Sequence, residues 1–184
     1  MRFPRGLAGI VLAMLAGCAT INNTADRGDS NLMLRGHDPV AYFSAGLAVA
    51  GRGDIRADHR GTTYRFASDE SRRQFITNPE LYVPQFGGFC ANAMTYAVPM
   101  DSDPGSFKII DGKLYLFGSP RVKLYFEMDQ ERKLKLAAHY WEAEVRDSNR
   151  HLQSLRRLVF RVPHYKSNAD LSEEYEKRFG KNPG

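Results

Sequence analysis

Six side chains stand out by type and spacing as candidates to hold a metal or a reacting group. Cys90 follows Gly87-Gly88, where a backbone without side chains lets a ligand approach closely. Met94 lies four residues beyond it and Met100 ten. A thiolate with thioethers is a soft donor set suited to Cu(I), and Cys90 and Met94 share a face if the stretch is helical. The same residues also describe a core, because free cysteine is among the most buried residue types and methionine fills irregular gaps. His37 beside Asp38 offers an imidazole oriented by a carboxylate, useful to a metal or as a general base. Asp38 also stands where a helix cap belongs, directly before Pro39. His59 is a further imidazole, at the end of an expected strand. The candidate ligand set for Cu or Zn is therefore Cys90, His37, His59 and Met94, with Asp38, Tyr42 and Phe89 as further residues to line a site. It exists only if the fold brings these groups within a few ångströms of one another. A thiol-dependent enzyme would need the same convergence plus an oxyanion pocket, which nothing in the sequence signals. The chain contains no CxxC, HExxH, P-loop, GxSxG or GxGxxG string.

The elements that must position these residues are short. Asp38-Pro39 predicts a helical turn over 39–43, and Leu47 to Ala50 a weak strand. Ile55 to His59 and Thr62 to Phe66 flank Arg60-Gly61 and read as a β-hairpin. Ser68, with Asp69 and Glu70 behind it, starts a helix that Asn78-Pro79 stops. Asp111-Gly112 between Phe107 to Ile110 and Lys113 to Phe117 is a second hairpin. Ser119-Pro120 caps a helix to about Met128, and a further helix from Asp129 carries Leu134, Ala137, Ala138, Trp141 and Val145 at helical spacing. Hairpins mixed with short helices predict an α+β fold: a small antiparallel sheet, several short helices and a C-terminal helical extension.

The 184 residues, 42% of them hydrophobic, suffice for one core, and the two cysteines, Cys18 and Cys90, cannot build a disulfide scaffold. Between residues 32 and 148 there are 15 basic and 15 acidic residues, whereas 149–184 holds eight against four. A neutral body excludes nucleic acid as the expected partner.

The N-terminus carries Arg2 and Arg5, then an apolar stretch from Gly6 ending Leu15-Ala16-Gly17-Cys18. This is a signal-peptide pattern, and its end resembles the lipobox of bacterial lipoproteins. The resemblance implies cleavage before Cys18, acylation of its sulfur and stable anchoring in a membrane, since acyl chains contribute about 0.8 kcal/mol per buried CH₂. Ala19 after the cysteine implies, in a Gram-negative cell, the outer membrane facing the periplasm. Residues 19–31 are rich in Asn, Asp, Thr and Gly and read as a flexible tether.

Five strings occur in order: GHDPVAYF at 36–43, YRFAS at 64–68, NPELY at 78–82, GGFCA at 87–91 and IDGKLYL at 110–116. Together they resemble the exported, lipoprotein-type branch of the YHS domain family. The resemblance spans residues 32–148 as a YHS-like domain and leaves 149–184 as a basic helical extension. It implies a non-catalytic binding module with a suspected transition-metal site. The family pattern Tyr-x-Phe-Cys-Ser-x-x-Cys is matched here by Tyr64 to Ser71, with Ala67 and Ser71 where the thiols stand, and His37 replaces a common Tyr. The alternative is a structural or protein-interaction lipoprotein of the envelope with no ligand.

In the extension, Arg150, Arg156, Arg157, Arg161 and Lys166 interleave with Leu152, Leu155, Leu158, Val159 and Phe160, with no acid from Asn149 to Lys166. Such a helix either lies on anionic lipid or packs its leucines on the body with its arginines in water. Beyond Pro163 the expectation is a loose helix or a frayed end.

Overall fold

Local turn chemistry decides most of the chain path. The structure, a computed structural model, describes residues 21–25 and 31–181. Arg60 and Gly61 take φ of 50° and 74°, the positive pair that a two-residue hairpin turn needs, and join β3 (Arg52–His59) to β4 (Thr62–Phe66). Asp111 and Gly112, at 50° and 70°, do the same for β5 (Asp103–Ile110) and β6 (Lys113–Phe117). The first hairpin is extended by β2 (Leu32–Met33), which runs parallel to β4 with Leu32 opposite Thr63, and β1 (Thr24–Ala25) pairs antiparallel with β2. The result is a four-stranded sheet in the order β1-β2-β4-β3 beside a two-stranded one.

The helices begin where their caps stand. Ser68 Oγ accepts the Ser71 amide at 3.1 Å to open α2 (Asp69–Thr77), following a short α1 (Ala41–Ser44). Pro79 opens α3 (Pro79–Tyr82), and α4 (Ala91–Met94) follows a left-handed turn at Phe86–Gly88. Ser119 Oγ accepts the Val122 amide at 3.3 Å to open α5 (Pro120–Glu127); α6 (Gln130–Tyr140) passes into a π-turn, Trp141–Val145. Then come α7 (Arg150–Val159) and α8 (Asn168–Phe179). The fold is α+β, as the hairpins and caps imply. Among the described residues no helix is long and apolar enough to cross a membrane.

Two apolar clusters share the second hairpin. Tyr64, Phe66, Phe75 and Tyr42 pack with Leu114 and Leu116 on one side, and Phe89, Met94, Phe117, Phe126 and Trp141 with Tyr115 on the other. Alternation along β6 sends its side chains to both clusters.

Several expectations are corrected. Leu47 to Ala50 forms no strand; only Ala50 bridges to His37. The helix α1 is set two residues later than expected, at Ala41, behind a turn at 39–40 that is capped by Asp38. Its carboxylate, fully buried, accepts the Val40 amide at 2.9 Å and the Ala67 amide at 2.9 Å, fastening the first turn to the end of β4. Of the loose helix or frayed end expected beyond Pro163, a helix is found over Asn168–Phe179: Ser167 and Asp170 form a reciprocal capping box, and α8 buries Leu171. The C-terminal helical extension is present as α7 and α8, and it also buries Gln153 and Val162. The tether expectation for 19–31 fails over 21–25, where the chain is docked on the body. The signal peptide over 1–18 and Cys18 lie outside the described residues.

Replacing Asp38 leaves two inward-facing amides unpaired, each worth about 1–3 kcal/mol. Urea unfolding of Asp38→Ala is expected to show a loss of about 2–6 kcal/mol. A variant as stable as the parent would show that Asp38 fastens nothing.

Candidate functional site

The segment at 21–23 is held by backbone hydrogen bonds. The Ile21 amide donates to the Arg146 carbonyl at 2.9 Å and the Asn23 amide to the Gly87 carbonyl at 2.7 Å. Asn23 Nδ2 donates to the Gly88 carbonyl at 3.0 Å and to Ser102 Oγ at 3.1 Å; Ser102 itself donates to Gly88 at 2.7 Å. The glycines make room for this strap. A Cβ on Gly87, whose φ is +57°, would sit 2.6 Å from the Ile21 carbonyl oxygen. The role of Gly87-Gly88 is thus to accept the chain's own N-terminal segment.

Cys90 is placed for burial. Its side chain is 3% exposed, and its sulfur accepts the Gly118 amide at 3.3 Å. Burial pushes the thiol pKa up, only partly offset by the Ala93, Gly118 and Asn92 amides, so the thiolate a metal or a nucleophile needs is disfavoured. Cys90 and Met94 do lie on one helical turn, with the Met94 amide bonded to the Cys90 carbonyl at 3.0 Å. Met94, however, is wholly enclosed in the aromatic cluster. Met100 is exposed and borders, with Cys90, an apolar groove of about 320 Å³ beside α7.

The imidazoles are engaged elsewhere. His37 Nδ1 lies 2.9 Å from the Leu34 carbonyl, and His59 Nε2 lies 2.9 Å from Glu80 Oε1. Among the described residues no three His, Cys, Asp or Glu side chains are close enough to hold a metal ion. The set Cys90, His37, His59 and Met94 does not converge, and the residues do not fit a copper or zinc centre. Asp38 is a backbone fastener, as above. Tyr42 is a core pin: its hydroxyl donates to the Pro104 carbonyl at 3.1 Å, its ring meets Phe107 edge-on at 4.7 Å, and burial raises its pKa, with Asp103 and Asp38 adding to the rise. Phe89 is fully buried, with the Arg150 guanidinium 5.2 Å from its ring centre.

A hollow of about 670 Å³ lies between the first hairpin and the π-turn, and its wall includes His59, Trp141 and Arg146. Its charges are already matched. Glu80 pairs with His59 at 2.9 Å and with Arg60 at 3.0 Å; Arg146 pairs with Glu142 at 2.5 Å and Asp147 at 3.4 Å. No charged ligand is needed to complete it.

Two features escaped the sequence reading. Lys133 sits in a run of charged helix residues that reads as a solvated face, yet its ammonium donates to the Tyr125 carbonyl and to Asn92 Oδ1 at 3.3 Å. Burial, which outweighs the charges around it, lowers its pKa to about 8. No local pattern signals this, because the cover comes from the returning tail.

The second is the orientation of α7. Its polar residues face the body: Gln153 Nε2 donates to the Ala97 carbonyl at 3.0 Å, Arg150 reaches Asp101 at 2.5 Å, and Arg157 pairs with Glu144. Leu152, Leu155, Leu158, Val159 and the following Phe160 are 57–69% exposed. At 100° per residue the leucines lie opposite Gln153 and Arg157. Of the two arrangements the sequence left open, the leucines do not take the one packed on the body.

With residues 1–17 removed and Cys18 replaced by alanine, Cys90 is expected to react slowly with a thiol reagent at pH 7 and fully in urea. Titration with Cu(I) or Zn(II) should be unaltered in Cys90→Ala. Fast native labelling, or metal affinity lost with the sulfur, would restore Cys90 as a ligand or nucleophile. For Lys133, the unfolded chain holds its proton up to the ordinary value of 10.5, while the folded protein releases it near 8. The unfolded state binds more protons in between, so stability rises with pH through that window. Between pH 8 and 9, below the range of the buried tyrosines, Tm should rise in the parent and rise less in Lys133→Met. Equal slopes would show that Lys133 titrates normally.

No family model, curated protein or solved structure matches this chain.

Proposed function

We propose that the chain is an exported lipoprotein whose YHS-like body is held against the membrane and acts there by surface interaction, without a bound metal. The observation that carries this reading is the strap. Ile21 stands three residues after Cys18, a reach of at most about 11 Å, and it is already bonded to the body. A lipoprotein on a long tether sends its domain away from the bilayer. Here an acyl group on Cys18 would leave the domain resting on it, so the membrane face becomes the working face. The lipobox string Leu15 to Cys18 and the five family-like strings support the same reading. The buried thiol, the engaged imidazoles and the matched charges of the large hollow favour interaction over ligand chemistry.

Cells of a bacterial host expressing the full chain and fed an alkyne-bearing palmitate test this reading. The protein should carry the label and fractionate with membranes, and Cys18→Ser should lose the label. A parent chain that remains unlabelled, or Cys18→Ser that keeps the label, would contradict it.

A further inference from the structure

We infer that the outward face of α7 is a membrane-binding surface for anionic lipid, with Leu152, Leu155, Leu158, Val159 and Phe160 entering the interface. This rests on the lipoprotein reading for its geometry and names the partner of that face. Three observations carry it.

The helix is inverted relative to an ordinary surface helix. Gln153, Arg150 and Arg157 hold it to the body by polar contacts, and its apolar face meets no part of the described chain that covers it. Five apolar side chains more than half exposed on one short segment mark an interaction surface.

The second observation is charge. From Asn149 to Ala169 there is no acidic residue, while Arg156 and Arg161 flank the apolar stripe. Arg156 is 57% exposed at its side chain and pairs with Glu144 at 3.3 Å, and Arg161 lies over the Tyr165 ring at 4.4 Å. An apolar stripe with cationic flanks fits the boundary between acyl chains and anionic headgroups.

The third is position. The strap ends on the Arg146 carbonyl, four residues before α7 begins. An anchor on Cys18 therefore enters the bilayer near the N-terminal end of the helix. One acyl anchor and one amphipathic helix on a rigid body then act as two linked attachments, each raising the effective concentration of the other. A protein partner or a second copy would explain the apolar stripe but not the nearness to the anchor.

The test uses the non-acylated chain, with Cys18→Ala and the leader removed, so that only the body can bind. Co-sedimentation with vesicles of phosphatidylcholine containing about one-third phosphatidylglycerol should show binding that falls at least about tenfold in Leu155→Asp/Leu158→Asp, whose folding is checked by circular dichroism. Arg156→Ala/Arg161→Ala and added salt should weaken it further, and pure phosphatidylcholine should bind less. Ile76→Asp, an exposed apolar position on α2, serves as the control and should bind as the parent does. A fluorophore placed at Leu155→Cys should shift to the blue on anionic vesicles. Absence of binding, binding indifferent to the double Asp variant, or a concentration-dependent dimer that the same variant dissolves would each overturn the inference. Since no acyl group is present, failure here is separable from failure of palmitate labelling in cells.

Discussion

Four hydrogen bonds from the strap at 21–23 tie together parts of the chain that are far apart in sequence. They join the N-terminal segment to the Phe86–Gly88 turn, to Ser102 before β5 and to the end of the π-turn at Arg146. The geometry is available because Gly87 adopts a left-handed conformation and carries no Cβ where the Ile21 carbonyl lies. Remove the strap and the sheet loses β1 and the turn loses its cover. Under the proposed lipoprotein reading, backbone pairing would also set the orientation of the body at the membrane.

The core explains why the body can be this small and still hold such a strap. β6 serves two apolar clusters, so a single short hairpin supports both halves of the molecule. Parallel bridges from Pro84 to Leu114 and from Cys90 to Leu116 seat the 84–90 loop against that hairpin. Cys90 belongs to this seating. Its sulfur is an acceptor for the Gly118 amide, which accounts for a cysteine there without invoking reactivity.

Elements with local signals were legible in the sequence. Arg60-Gly61 and Asp111-Gly112 marked their turns, and Ser68 and Ser119 marked their caps, because each acts through residues within four positions of itself. What was not legible depends on distant partners. The segment 21–25 is polar and reads as a linker; its order comes from carbonyls at Gly87 and Arg146. The amphipathic pattern of α7 was plain, but which face turns inward was decided by Ala97, Asp101 and Glu144. The site candidates failed for the same reason: His37 and His59 had suitable chemistry and found nearer partners in Leu34 and Glu80.

The central claim is that the body sits directly on the bilayer, and Trp141 can report it. It is the chain's single tryptophan, and its ring lies 3.1 Å from the place a Cβ on Gly87 would occupy, beside the strap. Acylated protein in vesicles doped with a dansyl-headgroup lipid should show strong energy transfer from Trp141. Little transfer, with tryptophan emission as bright as in undoped vesicles, would place the body away from the membrane and contradict the account.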